Sequence, residues 1–311
     1  MESELYKNRS LGRCLSDAYE LYRTNFKTII RRLWLPALVL SLLTAAGYTG
    51  YTDIVLAAPT ASLSGGTFAA IAVLAVLCLC AYVWLFTIVV SLLNGKSVKV
   101  NLPRMVRLTL ALLGVCVVAY VLVAIIAVAC AIMTTAPKGV LVVAPLVGIL
   151  GCIVVGVLVL PFFYSVMKYC VETDLKVMAI FKDHYLAGWR QWGFLFVIAL
   201  LVGIIMMVID HIVGMPSIIL ALVSGMRHIS IMEGDSPVMP SGFGLLAFLT
   251  AAVCTFVMTF VRPWVVFVFY YAYGCIEEKE KARMELKKAE KSLEPNEMTN
   301  DGRSLDFEEI K

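Results

Sequence analysis

The sequence predicts an all-α integral membrane protein. It has six transmembrane helices, arranged as three units of an amphipathic helix plus two spans. Three observations carry this. The chain of 311 residues is 61% hydrophobic and only 15% charged, whereas a soluble domain carries about a quarter charged residues. Its apolar residues gather into long runs, and mean hydropathy is +0.89. Its lysines and arginines crowd into alternate loops.

A hydrocarbon core of about 30 Å needs about 20 apolar residues as helix. Six runs meet that length, at 33–48, 68–93, 106–133, 140–167, 192–213 and 242–273. The first is short and reaches full length if Ile29 and Ile30 join it. Breaks are expected at Ser64–Gly66, Gly95 and Gly139. The chain therefore divides into an amphipathic N-terminal segment (1–32), a six-helix domain (33–274) and a charged helix with a flexible tail (275–311). Some thirty mostly polar residues precede the first run, which reads as a retained span rather than a cleaved signal.

The basic residues set the orientation. Lys7, Arg9, Arg13, Arg23, Lys27, Arg31 and Arg32 precede span one, and Lys96, Lys99, Arg104 and Arg107 separate spans two and three. Lys168, Lys176, Lys182 and Arg190 separate spans four and five, and six more lysines and arginines follow span six between Lys279 and Lys291. The opposite loops hold Lys138 and Arg227. The positive-inside rule then puts both termini in the cytoplasm. The net charge of +4 is used up by these loops and calls for no nucleic acid.

The opening segment, "LSDAYELYRTNFKTIIRRLWLPALVLSLL", shows the repeating grammar. Leu11, Leu15, Ala18, Tyr22, Phe26 and Ile29 recur at three- and four-residue steps, which is one apolar face of a helix. Such a helix is expected to lie on the cytoplasmic membrane surface, with Tyr22, Phe26, Lys27 and Trp34 as interfacial anchors. A second copy runs through Val177, Phe181, Tyr185, Trp189 and Trp192. Tyr22-x-x-Asn25-Phe26-Lys27 matches Tyr185-x-x-Gly188-Trp189-Arg190, so Tyr185, Trp189, Arg190 and Trp192 join the anchors. A fainter copy lies at Asn101–Arg107. The even spans also share aromatic clusters: Tyr82/Trp84/Phe86, Pro161/Phe162/Phe163/Tyr164 and Pro263/Trp264/Phe267.

With "LPALVLSLL" and the later "FKDHYLAGWRQWGFLF", this segment resembles a broad group of bacterial six-span membrane proteins. The group includes the membrane domain fused to some glycerophosphodiester phosphodiesterases. The resemblance implies a bacterial inner-membrane protein. This chain lacks the soluble phosphodiesterase domain, so the resemblance brings no catalytic residue.

Chemistry-bearing residues are few. No H-E-x-x-H, G-x-S-x-G or glycine-rich phosphate loop occurs, and neither cofactor nor metal ligands are suggested. The nine cysteines fall in spans or on the reducing side and read as small buried hydrophobes. Arg262 lies inside span six, where a charge costs about 2.5–3.5 kcal/mol. It reads as an anion or lipid-headgroup site, or as an arginine snorkelling to the headgroups. Asp210 and His211, at the outer end of span five, form an ion or proton site or a hydrated helix end. The apolar segment from Pro216 to Gly225 is either a re-entrant half-helix or an interfacial cap. Gly148, Cys152 and Gly156, at four-residue steps, let helices approach closely within the chain or across a homodimer.

These features point to a non-enzymatic protein that organises or interacts with lipids or membrane partners. The alternative is a small-solute or lipid transporter with a path near Arg262 and the Pro216 segment.

Overall fold

In this computed structural model, residues 5–57, 65–133, 137–182, 184–234 and 240–293 are described. They form α1 (Leu11–Ala57), α2 (Gly65–Asn94), α3 (Val98–Met133), α4 (Pro137–Val171), α5 (Ala179–Lys182), α6 (Tyr185–Arg190), α7 (Trp192–Met232) and α8 (Phe243–Leu293). Among the described residues, six helices are long and apolar enough to cross a membrane, and they are α1–α4, α7 and α8. The chain is a multi-pass membrane protein.

α2 ends where expected. Gly95 has φ +66°, the left-handed conformation that closes a helix and that glycine adopts without penalty. The predicted break at Gly139 does not occur, because α4 already begins at Pro137.

α1 differs from the expected surface helix. It runs without interruption for 47 residues, about 70 Å at 1.5 Å per residue. Its amphipathic first half continues the axis of the span. The predicted stripe is covered by protein: Cys14, Ala18, Ile29 and Leu33 are fully buried, packed with Phe267, Val268, Ala272, Tyr273 and Ile276 of α8. α8 supplies that cover because it is 51 residues long, about 76 Å. The second predicted stripe is broken. Residues 177–192 form the short helices α5 and α6 before α7 starts at Trp192.

The core sits at the end of the bundle where α1 starts and α8 finishes, called the basic end below. In α3 the buried residues are Asn101, Arg104, Met105 and Leu108, all in its first turns. In α7 they are Leu195, Ile198 and Val202. Beyond these, the described residues of both helices are half-buried or exposed and largely apolar, as lipid-facing surfaces are.

Each segment that follows or precedes a span at the basic end docks on a neighbouring long helix: α1 on α8, the start of α3 on α2, and α6 on α4. The pairing of α1 with α8 brings the first and last spans together.

The Pro216 segment is neither re-entrant nor a separate cap. Residues 216–225 lie within α7, a single helix of 41 residues. The Ser217 carbonyl accepts from the Tyr48 hydroxyl at 3.3 Å, tying α7 to α1.

Candidate functional site

Two regions concentrate polar side chains or open space. The first is the polar seal at the basic end. Asn94 of α2 and Asn101 of α3 exchange amide hydrogen bonds at 3.0 Å in both directions, and Asn94 also donates to the Cys170 carbonyl at 3.1 Å. Arg104, nine-tenths buried, donates through Nη2 to the Tyr169 carbonyl and to the Glu172 carbonyl at 2.7 Å. Its guanidinium lies 4.6 Å from the Tyr169 ring centroid. A cation here caps the carbonyls that α4 leaves open at its C-terminus.

Across the seal, Glu277 of α8 accepts from the Tyr164 hydroxyl and from Lys168 Nζ at 2.6 Å. The Tyr273 hydroxyl donates in the opposite sense to Glu172 at 2.9 Å. Arg190 reaches Glu280 at 3.4 Å. Arg9 pairs with Asp17 at 2.7 Å and its backbone N–H donates to Cys275 Sγ at 3.4 Å.

Cys14 of α1 and Cys275 of α8 are both fully buried, and the Cys275 thiol donates to the Arg9 carbonyl at 3.5 Å.

Two tyrosines of the matched motifs make equivalent bonds. The Tyr22 hydroxyl donates to the Phe260 carbonyl at 2.9 Å, three residues before Pro263. The Tyr185 hydroxyl donates to the Leu158 carbonyl at 3.1 Å, three residues before Pro161. A helix proline removes one hydrogen bond and loosens the turn before it. Each hydroxyl therefore supplies a donor where the helix ladder is weakest.

Gly188 explains the small residue of the second motif. A Cβ there would lie 2.6 Å from the Pro161 carbonyl oxygen, so only glycine permits the approach of α6 to α4. Trp192 donates to the Val157 carbonyl at 3.2 Å. Phe26, Lys27, Trp34, Trp189 and Arg190 are exposed, as anchors require.

The second region is an apolar groove between α2, α3, α4 and α8. One lobe encloses about 430 Å³ among Phe86, Leu112, Phe162, Phe163 and Phe269. The other encloses about 280 Å³ beside α1 and reaches Arg262. The lobes share Tyr82, Phe86, Val265 and Val266. Residues of all three aromatic clusters of the even spans thus meet on one groove.

Among the described lining residues Arg262 is the one that is charged. Arg262 is exposed, and no hydrogen bond, ion pair or ring contact joins it to a described residue. It stands 19 residues beyond the start of α8 at Phe243, about 28 Å along the helix, which is close to the hydrocarbon thickness. It therefore sits nearer the basic-end boundary than the apolar run of span six suggests. Part of the apolar length from Pro263 to Ile276, including Phe267, Val268, Ala272 and Ile276, packs in the core with α1.

Asp210 and His211 are both exposed. They stand 18 and 19 residues beyond Trp192, about 27–28 Å along α7. His211 Nδ1 lies 2.8 Å from the Met207 carbonyl of its own helix. Arg227 is 17 residues further along α7, so the structure does not bring it to Asp210. The surroundings of Gly148 and Cys152 lie outside the described residues, as do residues 294–311 of the predicted tail. Gly156 is exposed with open space around it, and the close glycine of α4 is Gly151, against Val123.

Gly188, Asn101 and Arg104 stand in the motif copies, but their pairing with Pro161, Asn94 and the Tyr169 and Glu172 carbonyls carries no signature in the sequence. Compared with protein-family models, curated proteins and solved structures, the chain matches none.

Proposed function

We propose that the chain is a non-enzymatic multi-pass protein of the bacterial inner membrane, with both termini cytoplasmic, that interacts with membrane lipids. The observation that carries this is the groove: apolar walls from four spans, with a single cation, Arg262, at its side. Apolar walls suit hydrocarbon, and one cation near a membrane boundary suits a headgroup. The resemblance to the membrane part of the phosphodiesterase fusions is in keeping with such a role.

The proposal includes the three-unit organisation. It is supported by the parallel bonds of Tyr22 and Tyr185 to carbonyls preceding Pro263 and Pro161. It is supported too by the docking of α1, α3 and α6 on α8, α2 and α4. In this scheme each amphipathic segment rests on the even span before it, and the first rests on the last.

Lipid passage through the groove is the second reading, favoured by the helix proline Pro263 in its lining. A path for a polar solute fits poorly with the apolar lining.

The test is to purify the full chain in mild detergent and identify retained lipids by mass spectrometry. Phospholipid bound in defined ratio is expected. Protein that retains none and shows no lipid dependence of stability would contradict the reading. Reporter fusions at Gly65 and Gly234 should both report the outside, and a cytoplasmic signal at either would contradict the orientation.

A further inference from the structure

We infer that the groove holds one acyl chain of an anionic phospholipid whose phosphate rests on Arg262. This rests on the lipid reading above and adds the class of lipid, the anchoring residue and the walls. Three observations converge.

The first is charge complementarity. Arg262 lines the groove, is exposed and has no partner among the described residues. A cation at the edge of hydrocarbon is costly unless it meets water or an anion. A lipid phosphate offers acceptor oxygens that match the guanidinium fork.

The second is shape and chemistry. The larger lobe, about 430 Å³, falls within the range of ligand sites, about 300–1,000 Å³, and the smaller, about 280 Å³, extends it through shared walls. Phe86, Leu112, Phe162, Val266 and Phe269 offer dispersion contacts to a hydrocarbon chain and almost no polar atoms.

The third is access. The basic end beyond the groove is sealed by the Asn94–Asn101 pair and by Arg104 on the Tyr169 and Glu172 carbonyls. Tyr82, Leu113 and Val159 of the groove are exposed. The groove therefore opens sideways into the bilayer and not to the solution beyond the seal. An amphiphile from the leaflet at the basic end fits this opening, and a free anion arriving from water does not.

The test uses the full chain in nanodiscs of phosphatidylcholine carrying either phosphatidylglycerol or phosphatidylcholine with a diazirine in its acyl chain. Photolabelled peptides are read by mass spectrometry. The phosphatidylglycerol probe is expected to label groove residues of α2 and α3. R262Q should cut that labelling about tenfold, the loss expected for a charge-assisted hydrogen bond, while R262K keeps most of it. R31Q removes an exposed cation outside the groove lining and should change little. C116W narrows the groove and should reduce labelling by both probes. Excess inorganic phosphate should not compete.

Groove labelling that ignores R262Q overturns the inference while the lipid reading stands. Equal loss in R31Q and R262Q overturns it in favour of diffuse surface charge. Competition by inorganic phosphate overturns the choice of a lipid. Absence of labelling, together with absence of co-purifying lipid, overturns both this inference and the reading beneath it.

Discussion

Gly188 offers the sharpest check on how the units dock. Replacing it by alanine places a Cβ 2.6 Å from the Pro161 carbonyl oxygen, 3.1 Å from its Cα and 3.2 Å from its Cβ. Ordinary contact begins near 3.4 Å, so α6 must move away from α4 by several tenths of an ångström. The nearest obstacle is backbone, which cannot rotate aside. Overpacking of this kind costs about 1–3 kcal/mol, and alanine returns up to about 1 kcal/mol of helix propensity. The net loss expected for G188A is therefore roughly 1–2 kcal/mol. Gly193 is the control: it opens α7 nearby, and a Cβ there meets nothing within 4 Å. G193A should be neutral or stabilising. Both variants can be compared in one detergent by tryptophan-fluorescence melting and by size-exclusion survival after heating. G188A at or above the stability of G193A would refute the close approach and the docking of α6 on α4.

Y22F and Y185F should each lower stability by about 1 kcal/mol, the value of one hydroxyl–carbonyl bond, measured by the same melts; a much larger loss in one alone would contradict equivalent roles. N94A and N101A should be non-additive, the double variant losing little beyond N94A alone, because N94A already leaves the Asn101 amide without its Asn94 partner. K168M and E277Q should show a coupling of roughly 1–3 kcal/mol in a double-mutant cycle, since both side chains are mostly buried. G274A should destabilise the packing of the segment before α1 on α8, because its Cβ collides with the Leu5 carbonyl oxygen; unchanged melting would contradict that contact.

The number of spans and the apolar stripe of α1 were legible because period and length are local properties. What covers the stripe was not. Leu11, Leu15, Ala18 and Ile29 mark an apolar face, but periodicity does not say whether lipid or protein meets it. Here the cover is the far end of α8, more than 200 residues away. The same surplus length in α8 explains Arg262: counting from both ends of the apolar run set it deeper than the start of α8 allows. Pro216 read as a helix start because proline favours first turns. In a long apolar helix it is tolerated within the run, and α7 continues through it. The prolines at 161 and 263 were visible as aromatic-cluster markers, yet their pairing with Tyr185 and Tyr22 needed coordinates.

The account turns on α1 meeting α8, since that contact joins the first unit to the last around the groove. It can be measured with the protein's own thiols. A variant retaining only Cys14 and Cys275, with a protease site inserted between α7 and α8, is treated with copper phenanthroline in native membranes and then cut. Both thiols are fully buried where α1 meets α8 and lie close enough to interact, so the fragments should stay joined until a reductant is added. Fragments that separate without reductant, from protein that is otherwise folded and oriented, would place the N-terminal helix away from α8 and contradict the account.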